Sequence, residues 1–222
     1  MVISKNKTNY YRMKKILYIC TAMFLLLGVT SCEKDNVWGD GLPEMEHVYY
    51  VGFYKTNVNT DYLSYEIAAD GLARWRFGSS ATAGTWANTS EVNVTGPIPL
   101  QFHSERVRTY NPVNYFWVTN NGTSSTLTAG KDYSVTTESG ATITPDAQGA
   151  YSVTWEQAKK GIQNIKIKRL SSVKGSLKVN VLDPAKGTPN ASDITTTVNN
   201  HTNDYEIRGF TFDYNKVTVT FN

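Results

Sequence analysis

The chain has 222 residues with 22 Lys and Arg against 19 Asp and Glu, a formal net charge of +3. Five of the basic residues and none of the acidic ones precede residue 32, so the rest of the chain carries 17 against 19 and a charge of −2. An acidic remainder without a basic stripe excludes nucleic acid as a partner. Both cysteines, Cys20 and Cys32, fall in the first 32 residues, which excludes disulfides and cysteine-ligated metals from the remainder.

Residues 1–31 are predicted to be a cleaved secretory signal. The first 15 residues contain five basic side chains and no acid, and the apolar run Ile16 to Val29 follows them. This is the order of the charged and apolar regions of a signal peptide. The run has 14 residues, whereas a membrane-spanning helix needs about 20. We therefore expect it to be removed.

The end of this segment, Val29-Thr30-Ser31-Cys32, resembles the bacterial lipobox, in which small residues precede a cysteine. The resemblance implies that Cys32 becomes the first residue of the mature protein, with a diacylglycerol on its sulfur and an acyl chain on its amino group. Two or more acyl chains hold a protein stably on a membrane. The alternative is an ordinary signal with a chance cysteine at its edge.

Residues 32–46 are predicted to be the lipidated N-terminus and a flexible tether, because Gly39, Gly41 and Pro43 lie among charged residues. The segment Glu33 to Asn36 is similar to the short charged signal that sends Bacteroidetes lipoproteins to the outer face of the outer membrane. A merely solvated tether is the alternative. The expected location is the outer membrane, with the protein lipid-anchored and facing the exterior.

From His47 onward the pattern is that of β-structure, with Val, Ile, Thr and aromatic segments separated by Gly, Asn, Asp, Pro and Ser. In the clearest segment, Asn164 to Leu170, isoleucines alternate with lysines, which is typical of a half-buried strand. The closing strands flank an Asp-Tyr-Asn turn and predict a terminal antiparallel hairpin. The predicted strands are Val48 to Tyr54, Tyr62 to Ala68, Ala73 to Phe77, Glu91 to Val94, Tyr115 to Val118, Tyr133 to Thr137, Ala150 to Thr154, Asn164 to Leu170, Ser176 to Leu182, Glu206 to Phe212 and Lys216 to Phe221.

Helix is nearly absent from this pattern. Only Trp155 to Lys160 is a candidate, and the polar stretches 57–61, 78–88 and 183–204 are predicted to be loops. Many short strands without helical crossovers predict an all-β fold, an antiparallel immunoglobulin-like β-sandwich spanning residues 47–222. A division into two sub-domains near Asn120 stays open.

Four segments carry a resemblance to a known group of proteins: Ala129 to Val135, Ala141 to Asp146, Lys160 to Ile167 and Asp204 to Arg208. They resemble Bacteroidetes surface lipoproteins whose immunoglobulin-like or Calx-β-like domains are of unknown function. Such proteins often accompany SusC/SusD-like outer-membrane pairs, so the resemblance implies these pairs as partners. It covers roughly residues 120–222.

No catalytic motif is evident. His47, His103 and His201 are far apart in sequence and lack metal-ligand spacing, and Phe77-Gly78-Ser79-Ser80 lacks the second glycine of a serine-nucleophile elbow. The acids are scattered rather than clustered, which disfavours a calcium site and glycoside hydrolysis. We expect neither an enzyme nor a metal or cofactor.

The aromatic residues give the candidate ligand-binding residues. Trp75 lies between Arg74 and Arg76, Trp86 lies in a loop-forming segment, and Tyr110 precedes Asn111 in a polar one. Exposed aromatic rings can stack on the apolar face of a sugar, with Arg and Asn supplying hydrogen bonds. The alternative is that these rings fill the ends of the sandwich.

Together these patterns indicate a non-enzymatic surface lipoprotein, accessory to the capture of a polysaccharide or another nutrient at the outer membrane. The alternative is a structural or adhesive, fimbrial-like module that pairs strands with a protein partner.

Overall fold

The computed structural model describes residues 46–54, 62–78, 85–190, 192–211 and 213–222. The predictions for the signal, for Cys32, for the tether up to residue 45, for the loop at 57–61 and for residues 79–84 of the loop at 78–88 lie outside these residues. The strands are β1 (Val48–Phe53), β2 (Tyr62–Ile67), β3 (Leu72–Gly78), β4 (Ala87–Val92), β5 (Ile98–His103), β6 (Val113–Asn120), β7 (Tyr133–Thr137), β8 (Thr142–Ile143), β9 (Ala150–Thr154), β10 (Gly161–Arg169), β11 (Gly175–Asn180), β12 (Val198–His201), β13 (Glu206–Gly209) and β14 (Lys216–Phe221).

The strands form two seven-stranded sheets that pack against each other as a β-sandwich, which confirms the predicted fold class. Sheet A has the order β12-β13-β1-β5-β10-β7-β8, and sheet B has the order β4-β3-β2-β14-β11-β6-β9. The sheets are mixed rather than wholly antiparallel, because β1 pairs in parallel with β13 and β2 pairs in parallel with β14. These partners are far apart in sequence, so no turn between them could indicate their direction.

The predicted terminal hairpin is wrong. β13 belongs to sheet A and β14 belongs to sheet B, and a 3-10 turn over Asp213–Asn215 lies between them. The Asp-Tyr-Asn signal identified the turn correctly. It could not show that the turn joins two sheets, because that depends on where β1 and β2 lie.

The core fills the space between the two sheets. In β2, β5, β11 and β14, buried apolar side chains alternate with more exposed ones, the period of a strand with one face inward. Strands from before and after residue 120 occur in both sheets, and His47–Asn222 forms one compact unit. Among the residues that the structure describes, no helix is long and apolar enough to span a bilayer.

Three of the described strands were not predicted from the sequence: β5, β8 and β12. β5 contains Pro99, which cannot donate a ladder hydrogen bond and argues against a strand, while β12 lacks an apolar alternation. β4 begins at Ala87, four residues before the predicted Glu91. The candidate helix is only a 3-10 turn over Glu156–Ala158.

Candidate ligand-binding face

The outer face of sheet B is polar across its central strands. In β2, β11 and β14, the inward side chains are apolar and at most 4% exposed, and the side chains between them are half-buried. Because successive residues of a strand point to opposite sides of the sheet, the intervening polar residues face outward.

The strand register aligns these outward side chains in two rows. Row one runs from β3 to β6, and row two runs from β4 to β11. Five residues across adjacent strands span about 19 Å. Row one consists of Arg76, Ser64, Thr218, Lys178 and Thr119. Row two consists of Asn88, Arg74, Glu66, Thr220 and Ser176.

At one side of this face, two guanidinium groups lie against an indole ring. The Cζ atoms of Arg74 and Arg76 lie 5.1 Å and 4.5 Å from the centroid of the Trp86 ring, within the range of a cation–π interaction. Trp86 is half-buried immediately before β4. We call these three residues the Arg-Trp-Arg cluster. Because both guanidinium groups already contact the Trp86 ring, only the rest of the ring could stack on a ligand.

Glu66 of row two orients one of these arginines. Arg74 Nη2 donates to Glu66 Oε1 at 2.7 Å, and Asn222 Nδ2 donates to the same oxygen. The hydrogen bond from Arg74 to Glu66 raises the pKa of the guanidinium, so Arg74 keeps its charge. Glu66 thus balances the charge of Arg74.

At the other side of the face, the segment after β11 borders a half-open groove of about 230 Å³. Lys178, Asn180 and Lys216 line it from the strands, and Asp183, Pro184 and Pro189 line it from the segment. Lys186 Nζ donates to Val198 O at 2.6 Å and connects the segment to β12, and within the segment Ala185 N donates to Asp183 Oδ1 at 2.8 Å. Because Lys178 belongs to row one and also lines the groove, the groove adjoins row one.

Of the six predicted ligand-binding residues, the structure brings together Arg74, Arg76 and Trp86. Trp75 lies on the opposite side of β3, half-buried and packed against the core. A Cβ on Gly96 would come within 2.8 Å of its Cδ1 atom. The expectation that the Trp75 ring is exposed is wrong, because side chains alternate along β3 and Trp75 lies on the inward side with Ala73.

Tyr110 and Asn111 lie apart from the cluster and make internal contacts. The Tyr110 hydroxyl is 2.7 Å from both His47 Nδ1 and the Tyr49 hydroxyl, and its ring stacks on Tyr205 with centroids 5.6 Å apart. Burial, reinforced by the hydrogen bond with Tyr49, raises the pKa of Tyr110. Asn111 Oδ1 accepts a hydrogen bond from Gln157 N at 2.8 Å. Both side chains therefore have structural roles in this end of the sandwich.

Two lysines that line the groove, Lys178 and Lys216, were not among the predicted ligand-binding residues. Each occupies the polar side of a regular alternating strand, where a solvated face is the ordinary expectation. Only the pairing of β11 with β14 brings the two strands side by side. The one available signal was the repeat of Lys, Ser and Thr at alternate positions of both strands.

In the described part of the chain, no group of three or more His, Cys, Asp or Glu side chains could hold a metal ion. Comparison of the whole sequence and structure with known proteins finds no matching family model, no matching curated protein and no matching solved structure.

Proposed function

We propose that the protein is a non-enzymatic, lipid-anchored surface protein that binds a polysaccharide as an accessory to nutrient capture at the outer membrane. The observation that carries this proposal is the outer face of sheet B, where two rows of polar side chains lead from the Arg-Trp-Arg cluster to the groove. The rows extend about 19 Å across the sheet, which suits a chain laid along them better than a small molecule enclosed in a pocket.

The chemistry of the face suits sugar rings. The two rows contain hydroxyl, guanidinium, ammonium, amide and carboxylate groups, which together offer both donors and acceptors. Each hydrogen bond to a sugar replaces one to water and contributes only about 0.5–1.5 kcal/mol net, so affinity requires several of them together with an aromatic contact. The accessible part of the Trp86 ring supplies that contact.

The β4 edge of sheet B disfavours one version of the adhesive alternative, in which a strand of another chain pairs with that edge. β4 is the edge strand next to the Arg-Trp-Arg cluster, and its Glu91 forms an ion pair with Lys166. A charged residue on an edge strand opposes pairing with a strand of another chain.

The binding experiment uses the full chain purified in detergent, a glycan array and calorimetry. We expect an affinity in the micromolar to millimolar range, about 4–8 kcal/mol. Trp86→Ala should weaken it at least tenfold, because it removes the ring and releases both guanidinium groups. Lys168→Ser, on the outer face of sheet A, is the matched control and should bind normally. Absence of binding to every glycan would refute the proposal and favour the adhesive alternative.

The anchor is tested separately. Since acylation requires the thiol of Cys32, Cys32→Ser should abolish incorporation of a fatty-acid analogue in bacterial cells and release the protein from the membrane or leave the signal attached. SusC/SusD-like partners, which the family resemblance suggests, should co-purify with the wild-type chain. Unchanged labelling of the variant would show that Cys32 is not the anchor.

A further inference from the structure

The turn that follows β6 contains the only Asn-Gly pair in the sequence, Asn121-Gly122. An asparagine side chain loses ammonia when the backbone nitrogen of the next residue attacks its Cγ atom and closes a cyclic imide. A side chain on that next residue hinders the attack, and glycine has none. Asn121 is therefore the asparagine of this chain whose covalent neighbour obstructs the reaction least.

The backbone nitrogen of Gly122 is accessible for this attack. Gly122 is exposed, its φ is +87°, and a Cβ atom placed on it would meet no atom within 4 Å apart from its chain neighbours. Within the part of the chain that the structure describes, no group accepts its N–H. The nitrogen can lose its proton to water and approach Cγ without first breaking an internal hydrogen bond.

The pair Asp70-Gly71 shows the opposite arrangement. An aspartate can close the same imide with loss of water, but here Gly71 N donates to Ala68 O at 2.9 Å. Asp70 Oδ1 accepts a hydrogen bond from Leu72 N at 2.9 Å. Both groups that would have to react are held in the turn, so the structure opposes imide formation at Asp70.

The side chains of the adjacent asparagines Asn120 and Asn121 are held differently. Asn120 Oδ1 accepts from Ser125 Oγ at 2.8 Å and from Leu127 N at 2.9 Å, and its Nδ2 donates to Leu127 O at 3.0 Å. Among the described residues, the Asn121 side chain has one hydrogen bond, a long one from Nδ2 to Ser176 Oγ at 3.4 Å. A bond of this length restrains a side chain weakly. Asn121 can therefore rotate toward the next residue at little cost, whereas Asn120 cannot.

Asn121 extends row two by one residue. Its backbone N donates to Ser176 O at 2.8 Å, one step beyond the pairing of Leu177 with Asn120. Leu177 is fully buried and successive residues of a strand point to opposite sides, so Ser176 and Asn121 face outward. Asn121 therefore lies at the β6 end of row two, on the outer face of sheet B.

We propose that Asn121 is a site of spontaneous deamidation, which replaces the amide at the end of row two by a carboxylate. The Gly122 nitrogen gives its proton to water and bonds to Cγ of Asn121, and Nδ2 takes up a proton and leaves as ammonia. Water then opens the imide. Attack at Cγ gives aspartate, and attack at the backbone carbonyl carbon gives isoaspartate, so the net change is one water gained and one ammonia lost.

Either product adds one negative charge to the outer face of sheet B. An amide both donates and accepts hydrogen bonds, whereas a carboxylate only accepts them. Row two therefore exists in two chemical forms, a young one that ends in an amide and an aged one that ends in an acid. The reaction itself does not require the proposed function, and only its effect on a bound glycan rests on it.

The experiment incubates the full chain in detergent at pH 8 and follows its tryptic peptides by mass spectrometry. We expect Asn121 to convert at least tenfold faster than Asn120, which fragment spectra distinguish, and than Asn164. Enzymatic methylation specific for isoaspartate should label the same peptide. Conversion should be slower at pH 6, because fewer backbone nitrogens are deprotonated there.

The decisive variant is Gly122→Ala, which retains Asn121 and places a methyl group beside the attacking nitrogen. It should slow the conversion at least tenfold. Gly130→Ala is the matched control, since Gly130 also has a positive φ, of +77°, in open space, and it should leave the rate unchanged. Asn121→Gln should abolish the acidic species, and circular dichroism melting verifies that each variant is folded.

Three outcomes would overturn the inference. Asn120 or Asn164 could convert as fast as Asn121, which would remove the special role of the Asn-Gly turn. Folded Gly122→Ala could convert at the wild-type rate, which would exclude attack by the Gly122 nitrogen. A synthetic peptide of residues 118–125 could convert while the folded chain does not, which would show that the fold protects Asn121. Glycan binding enters none of these measurements, so their failure would leave the proposed function standing.

Discussion

The indole Nε1 of Trp155 donates a hydrogen bond to Oδ1 of Asn114 across 2.6 Å inside the sandwich. Asn114 is fully buried, and Trp155 is only 3% exposed and stacks on Phe102 with ring centroids 5.0 Å apart. A polar pair at this depth is favourable only while both members are present, because a buried donor without an acceptor keeps its desolvation cost.

Asn114→Leu should therefore lower the free energy of unfolding by about 1–3 kcal/mol, the cost of one unsatisfied buried group. The measurement is urea unfolding of the single variant, of Trp155→Phe and of the double variant. The double variant lacks the orphaned indole N–H. Its free energy of unfolding should therefore fall by less than the sum of the decreases in the two single variants. Strict additivity would show that the hydrogen bond contributes nothing.

The alternation of side chains in strands was predictable from the sequence. Ile165 and Ile167 are buried as expected, while Lys166 and Lys168 lie on the other face. The same alternation should have placed Trp75 opposite its two arginine neighbours, since β3 had been identified as a strand. Local periodicity fixes which face a residue occupies, and it requires no knowledge of the neighbouring strands.

Strand partners were not predictable in the same way. The parallel pairing of β2 with β14 aligns Ser64 with Thr218, although 154 residues separate them in the numbering. Row one depends on that pairing, and the groove depends on the pairing of β11 with β14. The Arg-Trp-Arg cluster could be anticipated in part, because Arg74 and Arg76 share a face by period two and Trp86 follows nearby in sequence.

Substitutions in β10 and β11 test the assignment of faces. Ile165→Asp and Val179→Asp should each cost several kcal/mol, because a carboxylate would replace a side chain that is at most 1% exposed. Lys168→Ser should change the free energy of unfolding by less than about 0.5 kcal/mol. Lys166→Ser should cost about 0–1 kcal/mol because it removes the ion pair with Glu91. Similar melting of all four variants would contradict the assignment.

Asp132 should make the stability depend on pH. Its Oδ1 accepts a hydrogen bond from Ser171 Oγ at 2.7 Å and its Oδ2 accepts one from Thr128 N at 2.9 Å. The hydrogen bond from Ser171, followed by that from Thr128, lowers the pKa of Asp132. The stabilisation is complete above the ordinary aspartate pKa of about 3.9 and is lost as the pH falls through the lowered pKa in the folded state.

Urea midpoints at pH 7 and pH 3 provide the measurement. The wild-type chain should lose stability between the two, and Asp132→Asn should lose less because an amide does not titrate. Glu138→Gln is the control, since that carboxylate is exposed. An equal loss in the wild-type chain and in Asp132→Asn would remove Asp132 as a source of the pH dependence.

The amide of Asn199 substitutes for a missing strand. β11 ends at Asn180, opposite Trp117, so among the described residues no strand pairs with the earlier part of β6 on that side. Asn199 Oδ1 accepts from Tyr115 N at 2.8 Å, and its Nδ2 donates to Tyr115 O at 2.7 Å and to Val181 O at 2.6 Å. This side chain therefore connects β12 of sheet A to β6 of sheet B.

Asn199→Leu should cost several kcal/mol, since each of the backbone groups left unsatisfied contributes about 1–3 kcal/mol. Asn199→Asp should be at least as harmful at pH 7, because a carboxylate would face two carbonyl oxygens that need a donor. Its unfolding midpoint should rise toward pH 4, where the protonated acid can donate again, unlike that of Asn199→Leu. Asn200→Ala, which removes a donor from Val113 O at 2.7 Å on a half-buried residue, is the milder comparison. If Asn199→Leu and Asn200→Ala lower the midpoint equally, the bridge between the sheets does not depend on Asn199.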